Sequence, residues 1–155
     1  MNIILLSGGS GKRLWPLSND IRSKQFIKLF KDDNGNYESM VQRVYRQITT
    51  VNPMVKVTVA TSKNQVSVIK SQLGEKINIC VEPSRRDTFP AILLAAAYIH
   101  YELGIGVEEC IAVCPVDPYV DNDYYKCVGE LENLVEAGTA NLTLMGIKPT
   151  YPSDK

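Results

Sequence analysis

The sequence predicts an α/β domain built on a mostly parallel sheet with helices on both faces. Three observations predict it. Short β-rich apolar runs alternate with helical patterns along the 155 residues, the order expected of strand–helix–strand units. The first and fourth runs are almost continuously apolar, as parallel strands covered on both faces must be. A glycine-rich loop follows the first run directly, and open α/β sheets hold ligands at the carboxyl ends of their strands.

The strand candidates are residues 2–7, 56–61, 77–81, 109–114 and 141–147. Between them, residues 39–50 put Met40, Val41, Val44, Tyr45 and Ile48 on one helical stripe. Residues 64–73 do the same with Val66, Ile69 and Leu73, and Asn64 offers a cap. Residues 89–103 are Ala-rich and apolar nearly all round, so this helix is expected to be buried. Residues 121–137 begin at an acidic cap candidate and end before Gly138, which suits the position after a helix. Residues 8–37 show no clear element, and a stretch that long in a compact domain is usually functional.

Composition narrows the classes. The chain is long enough for one domain with a real core, and 45% of it is hydrophobic. Apolar runs such as 91–97 are too short to span a bilayer. The N-terminus carries neither a basic region nor a small-residue cleavage site, so the cytoplasm is the expected compartment. Lys and Arg total 17 and Asp and Glu total 17, a balance that argues against a nucleic-acid binder. Cys80, Cys110, Cys114 and Cys127 form no C-x-x-C pair and are expected as buried, reduced thiols. With His100 the lone histidine, they supply too few ligands for a zinc site.

Charge is unevenly placed. Residues 1–30 carry Lys12, Arg13, Arg22, Lys24 and Lys28 against Asp20 alone. A positive field beside a glycine loop suits a small polyanion. That loop, Leu6-Ser7-Gly8-Gly9-Ser10-Gly11-Lys12-Arg13, lets main-chain N–H groups turn toward a phosphate without Cβ obstruction. Arg13 can grip phosphate oxygens bidentately. Two familiar phosphate motifs fail here. A P-loop needs Gly five positions before Gly11, where Leu6 stands, and Ser or Thr after Lys12, where Arg13 stands. The dinucleotide fingerprint needs a third Gly where Leu14 stands.

The longer string, Gly8 through Ser18 with Trp15-Pro16, followed by Ser23-Lys24-Gln25-Phe26, resembles the signature of the sugar-1-phosphate nucleotidyltransferases. Its Trp15-Pro16 and Lys24-Gln25-Phe26 are similar to the mannose-1-phosphate guanylyltransferases in particular. The resemblance implies a Rossmann-like nucleotide-diphospho-sugar transferase fold. It also implies that Gly8 to Arg13 wrap a triphosphate and that Lys24 bridges the reacting phosphates. Ser23 stands where that family usually has Pro. Loss of the ring is expected to loosen the approach to the lysine without removing its charge.

Two further stretches carry chemistry. Glu82-Pro83-Ser84-Arg85-Arg86-Asp87-Thr88-Phe89-Pro90-Ala91 follows the third strand candidate. It offers a carboxylate that can accept from a guanine N1–H and amino group, two guanidiniums and a helix N-terminus. A plain capped helix start, with Asp87 or Thr88 as the cap, reads the same residues equally well. The segment resembles the family's Glu-Pro-x-x-Arg-Asn-Thr-x-Pro-Ala, which implies that Glu82, Arg86, Asp87 and Thr88 lie in the nucleotide pocket. Asp87 stands where Asn is commoner. Cys114-Pro115-Val116-Asp117-Pro118 follows the fourth candidate and resembles the family's Pro-Ala-Asp-His, which implies Asp117 as ligand to Mg²⁺; Pro118 replaces the usual His. Asp121 and Asp123 read as helix N-terminal acids.

Together these imply a guanylyltransferase making GDP-mannose and pyrophosphate from GTP and mannose 1-phosphate, with Arg13 and Lys24 catalytic. Residues 1–155 are expected to be its nucleotide-binding N-terminal part, without the sugar-binding part. Homo-oligomer formation is left open, and neither nucleic acid nor membrane is an expected partner. The alternatives are a related enzyme using another base or sugar, and a non-catalytic nucleotide-binding regulatory module on the same fold.

Overall fold

The structure, a computed structural model, describes residues 1–8, 18, 23–149 and 151. Its centre is a four-stranded parallel sheet of β1 (Asn2–Leu6), β4 (Lys56–Ser62), β5 (Asn78–Glu82) and β6 (Ile111–Pro115), in the order β5-β4-β1-β6. A separate antiparallel pair, β2 (Lys28–Lys31) and β3 (Tyr37–Ser39), lies between β1 and β4 in the chain. The helices are α1 (Met40–Val51), α2 (Val66–Leu73), α3 (Thr88–Tyr101) and α4 (Asn122–Glu136).

Strand parity assigns the two cores. Ile3 and Leu5 of β1 join Val57 and Val59 of β4 on one face, against Val41, Val44 and Ile48 of α1, Ile69 of α2 and Tyr125 and Val128 of α4. Ile4 and Ala60 point the other way, against Ala95 and Ile99 of α3. A sheet covered on both faces explains why Ile3, Ile4 and Leu5 are all buried and why β1 lacks polar alternation. Each such aliphatic side chain contributes about 1.5–3 kcal/mol on burial. The capping box at Ser39, where Gln42 N–H donates to Ser39 Oγ and Ser39 N–H to Gln42 Oε1, adds about 1 kcal/mol. Packing therefore dominates, and the cap sets where α1 begins.

Four expectations need correction. Residues 141–147 form no strand. Leu142, Leu144 and Ile147 are largely exposed while Met145 packs against the core, and the run hydrogen-bonds to no strand among the described residues, so nothing there fixes a ladder register. α3 is buried on one face only: Ala91, Ala95 and Ile99 are inside, while Phe89, Leu93 and Tyr101 face outward. It packs on β1, β4 and β5; on β6, Ile111 and Val113 keep over a third of their surface exposed. Residues 8–37 do contain elements, a 3-10 turn at Lys24–Phe26 and the β2–β3 hairpin. Asn34-Gly35 between them is a strong hairpin signal; Gly35 has φ 81°, and Asp32 Oδ1 accepts from the N–H groups of Asn34 and Asn36. Finally, Asn64 does not cap α2. It sits inside a 3-10 turn, Lys63–Gln65, and Gln65 precedes the helix without a side-chain cap bond.

The last helix behaves as read. Asp121 Oδ1 accepts from the N–H groups of Asp123 and Tyr124, and Gly138 takes φ 69° just past the end. Of the four free thiols, Cys80 and Cys114 are buried, Cys110 is half-buried and Cys127 is exposed, so burial holds for two. No helix among the described residues is long and apolar enough to cross a membrane.

Candidate active site

In the parallel sheet every strand delivers its carboxyl end to the same edge. Leu6 is in register with Ala60 on one side and Pro115 on the other, and Ser62 with Glu82. The chain runs from β1 to β4 and β5 on one side, then crosses to β6 on the other. The direction of winding thus reverses at β1, and such a switch point opens a crevice for ligands. The sequence candidates Leu6, Ser7, Gly8, Glu82 and Asp117 all lie at or just past these ends.

Lys24 and Asp117 are 93 residues apart and meet there because β1 and β6 are neighbours. Lys24 Nζ lies 2.7 Å from Asp117 Oδ2, with 47% and 49% of the two side chains exposed. An ion pair so open to water contributes at most about 1 kcal/mol to stability. Its value is positional, since it sets a cation and an anion side by side at the mouth of the crevice.

At the same carboxyl edge, a hollow of about 440 Å³ is lined by Leu6, Gly8, Glu82, Arg85, Asp87, Thr88 and Ala91, a volume within the usual range for small-molecule sites. Thr88 opens α3, so the unpaired N–H groups of the helix start face the same region and favour negative charge. Arg86 is exposed, and its Nε donates to Ser84 Oγ at 3.3 Å; Arg85 is the guanidinium that lines the hollow. No local feature of Ser84-Arg85-Arg86 separates the two in sequence. Gly9, Ser10, Gly11, Lys12 and Arg13 lie outside the described residues.

Asp87 precedes α3 with φ 64° and ψ −169° and makes no side-chain capping bond. It is the one non-glycine residue with positive φ among the described residues. That region is essentially glycine's, and holding another residue there costs about 1–3 kcal/mol. Strain of this kind clusters at ligand sites. Asp87→Gly is therefore expected to raise thermal stability by about 2–4 °C while weakening nucleotide binding. Calorimetric melting and titration check the two halves separately.

Other buried polar groups stand at the same edge. Ser7 is fully buried, and its Oγ has no partner among the described residues. Its main-chain N–H donates to Ala60 O at 2.9 Å, and its carbonyl accepts from Gln25 Nε2 at 3.1 Å. Ser23 is not the loosened link its lack of a proline ring predicts. It is fully buried, and its Oγ accepts from Gln65 Nε2 at 2.8 Å. A hydrogen bond to the protein interior supplies the restraint a ring would have supplied. On the Asp117 side, Arg43 and Gln47 of α1 both donate to Val120 O. The Arg43 guanidinium also lies over the Tyr119 ring, 4.8 Å from its centroid. Cys114 is no nucleophile for this site: burial pushes its thiol up to about 11, so it stays protonated near neutrality.

At the opposite end of the sheet, Cys110, Glu132 and Glu136 bring donor atoms within 4.8 Å of one another. Glu132 there already pairs with the N-terminal ammonium at 3.1 Å, which accounts for its charge.

At its carboxyl edge the parallel sheet thus presents a lysine–carboxylate pair and a helix N-terminus, an arrangement that suits a phosphate group. The chain belongs to the nucleotidyl transferase family, whose sequence profile matches residues 2–152. It is 33% identical over 153 residues to a mannose-1-phosphate guanylyltransferase of Escherichia coli, covering 96% of this chain and 32% of that protein. It is 32% identical over 152 residues to the xanthan biosynthesis protein XanB of Xanthomonas campestris pv. campestris (strain B100), covering 96% and 31%. Among solved structures it resembles the mannose-1-phosphate geranyltransferase of Thermus thermophilus. The TM-score is 0.66 at 30% identity, over 88% of this chain and 37% of that one. The chain thus spans about a third of the length of the curated relatives it matches.

Proposed function

We propose that this chain is the nucleotide-binding part of a cytoplasmic guanylyltransferase that forms GDP-mannose and pyrophosphate from GTP and mannose 1-phosphate. The observation that carries the reading is the Lys24–Asp117 pair at 2.7 Å, at the same carboxyl edge of the sheet as a hollow that Gly8, Glu82 and Thr88 line. The names of the relatives favour mannose 1-phosphate as the acceptor. Four free thiols suit a reducing compartment.

In the reaction, an oxygen of the sugar phosphate attacks the α-phosphorus of GTP. The bond from that phosphorus to the β-phosphate's bridging oxygen breaks, and pyrophosphate leaves in line. The attacking oxygen is already ionised, so no proton has to be removed. That matches a crevice without a nucleophile–base pair among its described residues. What catalysis needs is positioning and charge neutralisation between two anions. Lys24 neutralises charge that builds around the α-phosphate, and Gly8 and the residues through Arg13 receive the β- and γ-phosphates. Glu82, at the carboxyl end of β5, accepts from the guanine N1–H and amino group. Adenine offers no such pair of donors.

Asp117 fits the magnesium that such chemistry uses. Its carboxylate is half exposed and already takes a cation, the Lys24 ammonium, from the crevice. One carboxylate plus substrate phosphates is an ordinary Mg²⁺ donor set. Bound there, the ion would supply positive charge to phosphate oxygens. Calorimetric titration of GTP, ATP, UTP and dTTP with Mg²⁺ tests the reading. GTP is expected to bind most tightly, with the preference lost in Glu82→Ala. Equal affinity for all four, or a guanine preference that survives in Glu82→Ala, would count against it.

A further inference from the structure

Lys24 is an exposed side chain on a buried stretch of backbone. Ser23 is fully buried, and Gln25 and Phe26 keep only 3% of their surface each. Each of these three neighbours is held by a glutamine amide. Gln65 Nε2 donates to Ser23 Oγ at 2.8 Å, Gln25 Nε2 to Ser7 O at 3.1 Å, and Gln72 Nε2 to Phe26 O at 2.9 Å. Gln65 is itself fully buried, and its Oε1 accepts from Thr61 Oγ1 of β4 at 2.8 Å. Through Ser7 and Thr61, the residues on both sides of Lys24 are therefore bonded to the carboxyl ends of the two central strands.

Burying an amide such as Gln65 costs free energy unless both its ends are bonded. Once satisfied, a buried polar network holds one geometry where apolar packing would allow several. An aliphatic side chain would fill the same space without fixing Ser23. With its φ at −67° and ψ at 156°, Ser23 sets the direction in which the chain enters the turn that begins at Lys24. The Gln65 bond holds that entry from outside the 23–26 stretch.

We propose that Gln65, acting through Ser23, is a positioning residue for Lys24 in the transfer reaction. It fixes the backbone pivot from which the ammonium reaches the reacting phosphates. The inference rests on the catalytic reading of Lys24 given above. Its test is a double-mutant cycle in the full-length protein, measuring pyrophosphate release from GTP and mannose 1-phosphate. Gln65→Leu and Ser23→Ala are each made with Lys24 present and with Lys24→Ala, and each variant's fold is checked by thermal melting.

With Lys24 present, each change is expected to lower kcat roughly tenfold or more while KM for GTP moves less than about threefold, since displacement of a reacting group strikes the transition state most. In the Lys24→Ala background the same changes are expected to cost less than about twofold, the mark of coupled residues. Equal losses in both backgrounds, or wild-type kcat in Ser23→Ala, would overturn the proposal. Should Gln65→Leu not fold, the Ser23→Ala pair decides alone. Wild-type turnover in Lys24→Ala by itself would overturn the catalytic reading of Lys24, and this inference with it.

Discussion

Lys24→Ala is expected to lower turnover of GTP and mannose 1-phosphate roughly 10²–10³-fold, the loss typical of removing one preorganised electrostatic contact. The fold should persist. Lys24 is half exposed and its pair with Asp117 is open to solvent, so melting should shift by no more than about 1 kcal/mol of stability. Binding of GTP alone should weaken far less than turnover falls, because charge around the α-phosphate grows as the reaction proceeds. Stopped assays of pyrophosphate release beside a melting curve read both quantities. A turnover near that of the unaltered protein would remove Lys24 from the chemistry.

Asp117→Ala is expected to fall by a similar factor, for a different reason. Its carboxylate is the acidic partner that faces Lys24 at the crevice. On the proposed function, its removal takes away the group that would hold Mg²⁺ while Lys24 remains. The loss should therefore depend on Mg²⁺, with higher concentrations recovering part of the rate in Asp117→Ala but none in Lys24→Ala. Val120 remains latched to Arg43 and Gln47 and Asp121 still caps α4, so the loop should keep its course. A rate titrated against magnesium, for both variants in parallel, separates the two roles. Identical magnesium curves would contradict the assignment of the carboxylate.

Much of this architecture is legible in the sequence because strands of the central sheet leave a mark. The runs 2–7 and 109–114 are apolar nearly throughout, and a strand is the simplest reading of such a run beside glycine and proline; burial on both faces accounts for the first, whereas Ile111 and Val113 of the second stay partly exposed. The run 141–147 looks similar, yet its leucines lie exposed and unpaired with any strand. Whether an apolar stretch becomes a strand depends on a partner edge, which is tertiary information. The helix at 88–101 misleads in the same way. Hydrophobicity on every side tells of apolar surface, not of which side the sheet will cover. The β2–β3 hairpin has its signal in Asn34-Gly35, but the charged residues around it mask the strands.

At the site, Lys24 and Asp117 are recognisable by motif, and their meeting follows from the parallel order of β1 and β6. The glutamines are not. Gln25, Gln65 and Gln72 carry no charge and no periodic signature, and only packing decides that an amide is buried and to whom it donates. Strain at Asp87 is equally hidden, since a positive φ on an aspartate is imposed by the turn from β5 into α3 rather than by its own preference.

On the proposed function, nucleoside triphosphate lies along the carboxyl edge of the sheet, from the end of β5 past β1 to β6. A crystal structure of the protein with GTP, Mg²⁺ and a non-reactive mannose 1-phosphate analogue tests it most directly. Guanine is expected beside Glu82, phosphates over Gly8 and the start of α3, and the α-phosphate within reach of Lys24 and Asp117. Nucleotide seated away from that edge, with Lys24 still paired to Asp117 and touching no phosphate, would contradict it.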